Sequence, residues 1–198
     1  MGQYTLRAIQ VRDFARHEML IIMAGLVDGA QAPARQRAID GLVKLHGIDL
    51  KTTNSLNYDA TLTTKEGRNV NGDIRIGPRA FSKDSSWLAN VVFHEVIHSD
   101  QFAYYAANGV TFGQRAAKSE AERIMVMLDE CEGFYWPWQN SSALGLSADQ
   151  QAELRREVQL YLIDIGDAPT AELARKGQFE QARSALIKRW VAENKGNP

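Results

Sequence analysis

The segment from Asp84 to Gly109 restricts the fold more than any other part of this 198-residue chain. Asp84-Ser85-Ser86 supplies N-capping oxygens and Asn108-Gly109 supplies a stop, so the residues between predict a helix from about Trp87 to Ala107. Val91, Val92, Phe93, Val96 and Ile97 bury that helix, yet its middle reads His94-Glu95-Val96-Ile97-His98. Two imidazoles and a carboxylate are costly to bury without partners. Whatever packs around this helix has to answer them.

The spacing says how. Residues four apart share one side of a helix, so His94 and His98 can present two ring nitrogens to one ion at about 2.0 to 2.1 Å. Glu95 lies one step round, within reach of a water on that ion but not of the ion itself. A zinc ion makes such a water acidic enough for the carboxylate to take its proton while a carbonyl is attacked, and the acid can then protonate the leaving amine. A chance match is expected in under about 1% of chains of this length. The pattern is therefore read as a hydrolytic site, with His94 and His98 as metal ligands and Glu95 as catalytic base.

Bulk properties limit where the site works. A hydrophobic fraction of 44% suits one domain over residues 1–198. The single cysteine, Cys131, excludes an internal disulfide framework and a Cys-rich zinc site. With 23 basic against 24 acidic side chains, nothing draws the chain toward nucleic acid or anionic lipid. The longest apolar run, Met19 to Val27, is too short to span a bilayer and is not placed as a secretory signal. The expected location is the cytoplasm of the producing cell, with any export by a route that needs no signal peptide.

Elsewhere the pattern is mainly α with one small β region, an α+β class. Helices are expected over Leu6–Leu26 and Pro33–His46, then from Ser119 to about Trp136 before Pro137, then over Ala148–Ile165 and Thr170–Ala192. Between Lys51 and Ile76, "YDATLTT" and "VNGDIRIG" alternate on either side of Lys65–Asn69 and predict a hairpin.

A zinc hydrolase needs a third protein ligand. The extended motif of metzincins would set glycine at 101 and His or Asp at 104, where this chain has Gln101 and Tyr104, so the ligand is expected from the next helix. Among its acids, Glu122 is explained by the capping box and Glu120 lies at the extreme end. If the two helices are antiparallel, the matching level falls near Cys131, which admits Glu130 and Glu132. Gly133, one turn past Glu130, would allow close approach and favours Glu130.

"GDIRIGPRAF", "WLANVVFHEVIHSDQF" and "LDECEGFYWPWQ" together resemble gluzincin-type zinc metallopeptidases, and more narrowly the metallopeptidase toxin domains of bacterial polymorphic and type VI secretion systems. The resemblance implies a zincin-like helical domain with a small sheet beside the active helix and one Zn2+ on His94, His98 and Glu130, with Glu95 as general base. It implies a peptide or protein substrate, and an immunity or secretion-system protein as partner. Many gluzincins place an acid four residues past the third ligand to support a histidine; Phe134 stands there, leaving Asp129 or a backbone carbonyl for that task. "DIRIG" is the expected edge for an extended substrate. Gln101 and Tyr105, on the histidines' face, are candidate oxyanion stabilisers. Phe134 to Trp138 is read as packing at a helix end rather than a substrate patch. Two alternatives remain at this stage: a zinc amidase acting on cell-wall peptides, and a catalytically silent zincin-fold binding module.

Overall fold

The computed structural model describes residues 14–110 and 119–194. Within them run α1 (Phe14–Leu26), α2 (Ala32–His46), β1 (Ser55–Tyr58), β2 (Gly67–Val70), β3 (Asp73–Ile76), α3 (Ser85–Ala107), α4 (Glu120–Gln139), α5 (Ser141–Leu144), α6 (Ala148–Asp164), α7 (Ala168–Arg175) and α8 (Phe179–Asn194). This is the expected mainly α architecture with a small sheet. The expected start of the first helix at Leu6, and most of the loop after Gly109, lie outside the described residues.

Local chemistry sets most boundaries. The Asp84 carboxylate accepts from the Trp87 N–H to open α3. Ser119 with Glu122, and Ser147 with Gln150, form reciprocal capping boxes at the starts of α4 and α6. α2 carries proline in its first turn and stops on Gly47 in the left-handed region.

Three segments depart from expectation. The hairpin is β2–β3, closed by Asn71-Gly72 at φ 52° and 91°, and the loop expected at Lys65–Asn69 instead supplies much of β2. β1 pairs with β3 in parallel, giving the order β1-β3-β2. "DIRIG" is therefore the central strand, paired on both sides, and β2 is an edge. α4 runs through Pro137 to Gln139 rather than ending at Trp136. A proline without N–H removes one ladder bond, which ends a helix only when nothing else holds the next turn; here Asn140 N–H still bonds to Trp136 O. The last expected helix is two, α7 and α8, parted at Gly177 (φ 70°), where a β-carbon would meet the Tyr135 hydroxyl at 2.9 Å.

Two apolar cores form. One gathers Ile22, Ile39 and Leu42 of α1 and α2, Ile74 and Ile76 of β3, and the first half of α3. The other gathers Tyr105 at the far end of α3 with Leu128 of α4, Val158 of α6 and Phe179 of α8. α3 passes from one to the other, and its two histidines lie at the crossing. Among the described residues no helix is long and apolar enough to cross a membrane.

The β2–β3 turn gives a test of the sheet. At Gly72 a β-carbon would meet Asn54 Nδ2 and Thr52 O at 3.0 Å in a backbone conformation that L side chains rarely adopt. Gly72→Ala is expected to lower the unfolding free energy by about 1–3 kcal/mol in urea titration; no change would contradict the turn.

Candidate functional site

The contacts between α3 and α4 descend in number on one helix as they rise on the other: His94 meets Gly133, His98 meets Glu130, and Tyr105 meets Asp129. The helices are antiparallel, as the ligand argument requires. They approach closely because Gly133 has no side chain: a β-carbon there would lie 2.7 Å from His94 Cε1. The His94 ring occupies that hollow, with Phe134 tilted against it at a centroid distance of 4.5 Å.

This brings three potential ligand atoms together. His94 Nε2 and His98 Nε2 are 3.0 Å apart, and Glu130 reaches them with its two oxygens at 3.6 and 3.8 Å. Ligands about 2.0 to 2.2 Å from a tetrahedral ion are separated by roughly 3.3 Å. The three separations bracket that figure, so His94, His98 and Glu130 can hold one metal ion. Burial raises the Glu130 carboxyl, but the hydrogen bond with His94 and the charges of both histidines outweigh it, leaving a pKa of about 2. A carboxylate ionised over the whole working range is what a cation needs.

The other acids of α4 are engaged. Glu132 accepts from Gln101, Trp136 and Arg183 and is 3% exposed. Glu122 closes the capping box and accepts from Trp190, and Glu120 pairs with Arg123 on the surface. Buried Cys131 has its thiol pushed up to about 12 by burial, and its Sγ faces the Val158 carbonyl of α6 at 3.9 Å.

Glu95 is turned toward the sheet's edge strand. Gly67 of β2 packs on it so closely that a β-carbon would lie 2.5 Å from Glu95 Oε1. Asn69, two residues along, donates to Glu95 O and Ser99 Oγ and pins β2 to the helix. Burial raises the Glu95 carboxyl to about 7, partly offset by His98 and Lys65 and reinforced by Glu130. It thus lies in the electrostatic field of the ligand cluster and is poised to exchange a proton near neutrality.

The histidines are held by different means. His98 Nδ1 is 2.6 Å from Gln101 Oε1, and Gln101 Nε2 donates to the backbone carbonyl of Asp129. The group on His98 Nδ1 is thus the Gln101 amide oxygen, not Asp129 or a backbone carbonyl as expected; the Asp129 carbonyl contacts only the far end of that amide. His94 Nδ1 has no hydrogen-bond partner among the described residues, so that ring is set by packing against Gly133 and Phe134 and by its Nε2 contacts with His98 and Glu130. Gln101 and Tyr105 are both committed inward, Tyr105 by donating to Asp129, which removes the two expected oxyanion candidates. Tyr135 packs edge-to-face on Trp136, Trp138 and Phe179, in keeping with the packing role expected for that cluster.

Sequence reasoning missed Gly67, Asn69 and Arg183. For the first two the signal was Asn71-Gly72, the two-residue hairpin turn that places β2; nothing local marks Arg183. Family models, curated proteins and solved structures all return no match to this chain.

Two outcomes follow from the geometry. Gly133→Ala adds about 1 kcal/mol of helix propensity but drives a methyl into His94; cobalt(II) affinity, followed by absorption, should fall more than tenfold while the protein stays folded in chelator. Glu95 gives a pH signature in metal-free protein. Its folded pKa, about 7 against 4.5, is raised, so its contribution is complete below pH 4.5 and is lost as pH climbs through 7, up to about 3 kcal/mol. Relative to wild type, Glu95→Gln should therefore gain stability between pH 5 and pH 8 in chemical denaturation; a constant difference would contradict the buried carboxyl.

Proposed function

We propose that the chain is a zinc-dependent peptidase of gluzincin type that hydrolyses peptide bonds. The observation that carries this reading is the set His94, His98 and Glu130 at single-ion spacing, with a buried proton-exchanging acid beside it. The donor set of two imidazoles and one carboxylate suits zinc and leaves a fourth position for water or substrate. Zinc bound there would supply Lewis-acid polarisation of a carbonyl and acidify a water.

The chain's own groups do the rest. Glu95 accepts the water's proton on its carboxylate and returns it to the departing amine nitrogen. Gly67 allows that carboxylate to sit against β2, and Asn69 fixes the strand's height along α3. β2 is the edge of the sheet, so an extended peptide can pair with it and lie alongside Glu95. Recognition through backbone pairing gives affinity with little side-chain preference, which suits unfolded protein as a first substrate.

Freshly purified protein should carry one zinc per chain by elemental analysis. Glu95→Gln should keep that zinc and cleave unfolded casein about 10²–10⁴-fold more slowly. Toxicity on expression in bacteria, if present, should be lost with the same variant. Absence of zinc, or equal cleavage by both proteins, would contradict the proposal.

A further inference from the structure

Arg183, in the second turn of α8, is 0% exposed and is the largest fully buried side chain among the described residues. Its Nε and Nη2 donate to Asp129 Oδ1 at 3.1 and 2.8 Å, and Nη2 also donates to Glu132 Oε2 at 2.5 Å. The guanidinium lies against the rings of Tyr105 and Tyr104, and its Nη1 meets no acceptor among the described residues. Buried ion clusters of this kind seldom add stability over apolar packing of the same volume. What this one holds in place is therefore its more informative property.

It holds Gln101. The amide nitrogen of Gln101 lies 3.0 Å from Asp129 O and 2.9 Å from Glu132 Oε2. A backbone carbonyl only accepts, and so does a carboxylate paired with arginine, so the amide must turn its NH2 toward both. Its oxygen is then forced toward His98 Nδ1, 2.6 Å away, and an amide oxygen also only accepts. The proton of that bond must come from His98. In the neutral ring this leaves the lone pair on Nε2, the atom facing Glu130 and His94.

We propose that Gln101, oriented by Glu132 and Arg183, is a positioning residue that fixes His98 in its Nδ1–H form and so presents Nε2 to a divalent ion. Arg183 at the same time withholds Asp129 and Glu132 from the ion, leaving Glu130 as the one acid of the "DECE" run free to bind. The inference rests on His98 being a metal ligand. It extends the site to a residue of the C-terminal helix, more than fifty positions beyond the last ligand.

The test begins with metal-free protein. Nitrogen-15 imidazole shifts of wild type should show His98 as the Nδ1–H tautomer near pH 8; an Nε2–H ring would overturn the proposal whatever any variant does. Gln101→Met, close in shape but unable to make these bonds, should give mixed tautomers and roughly 10- to 100-fold weaker zinc binding in chelator competition. Arg183→Lys, which keeps the charge but not the fork, should shift both readouts in the same direction by less. Folded Gln101→Met with wild-type zinc affinity would overturn the proposal. If wild type bound no zinc, the metal reading would fall, and the tautomer would still decide the role of Gln101.

Discussion

The contact between Gly133 and the His94 ring sets the separation of α3 and α4, and with it everything else at the site. A glycine inside a helix costs about 1 kcal/mol against alanine. Here it brings an acid on one helix within bridging distance of two histidines on the other. With a side chain at 133, the His94 ring would have to leave the space it shares with Phe134, and Glu130 would lose one of its two partners. The capping boxes at Ser119 and Ser147 and the Asp84 cap fix where these helices begin. Axial register shows in the pairings of His94 with Gly133, His98 with Glu130 and Tyr105 with Asp129.

Charge is partitioned on α4 by a single cation. Asp129, Glu130 and Glu132 stand within four residues, and three carboxylates so close would compete for any metal and repel one another. Burial raises the Asp129 carboxyl to about 6, with Arg183 pulling it down, so it is ionised at neutral pH and matches the guanidinium. Burial works against the charge on Arg183, but the two carboxylates outweigh it and keep it protonated. Glu130, with its side chain 36% exposed, stays on the histidine side. The same helix thus presents one carboxylate to the candidate site and buries two around a single guanidinium, in a cluster that braces it. On the opposite flank, β2 is fastened to α3 by Asn69, and the sheet supplies a wall for Glu95 rather than a remote layer.

Features written in local sequence were legible. The α3 helix, its capping residues and the shared face of His94 and His98 follow from spacing. Glu130 followed from counting turns along two antiparallel helices and noticing Gly133. Features that depend on distant partners were not. The break at Gly177 lies inside an amphipathic pattern that reads as continuous; α7 closes there with Gly177 in the left-handed region and Gln178 N–H bonded back to Leu173 O, and Tyr135 packs where a side chain at 177 would lie. Pro137 reads as a stop, yet the bond from Asn140 N–H to Trp136 O carries α4 past it. β1 skips β2, its neighbour in sequence, and pairs directly with β3 in parallel, a choice alternation cannot encode. Gln101 and Tyr105 point the expected way from α3, yet what they meet there are Asp129 and Glu132, which a buried arginine from α8 holds and which no reading of the motif alone reveals.

Zinc K-edge X-ray absorption on the protein as purified tests the central claim most directly, because it counts the ligands without assuming an activity. The account predicts one zinc per chain, bound by two imidazoles and otherwise by oxygen, at about 2.0 to 2.2 Å. A sulfur scatterer near 2.3 Å, a single imidazole, or protein that carries no zinc would contradict it.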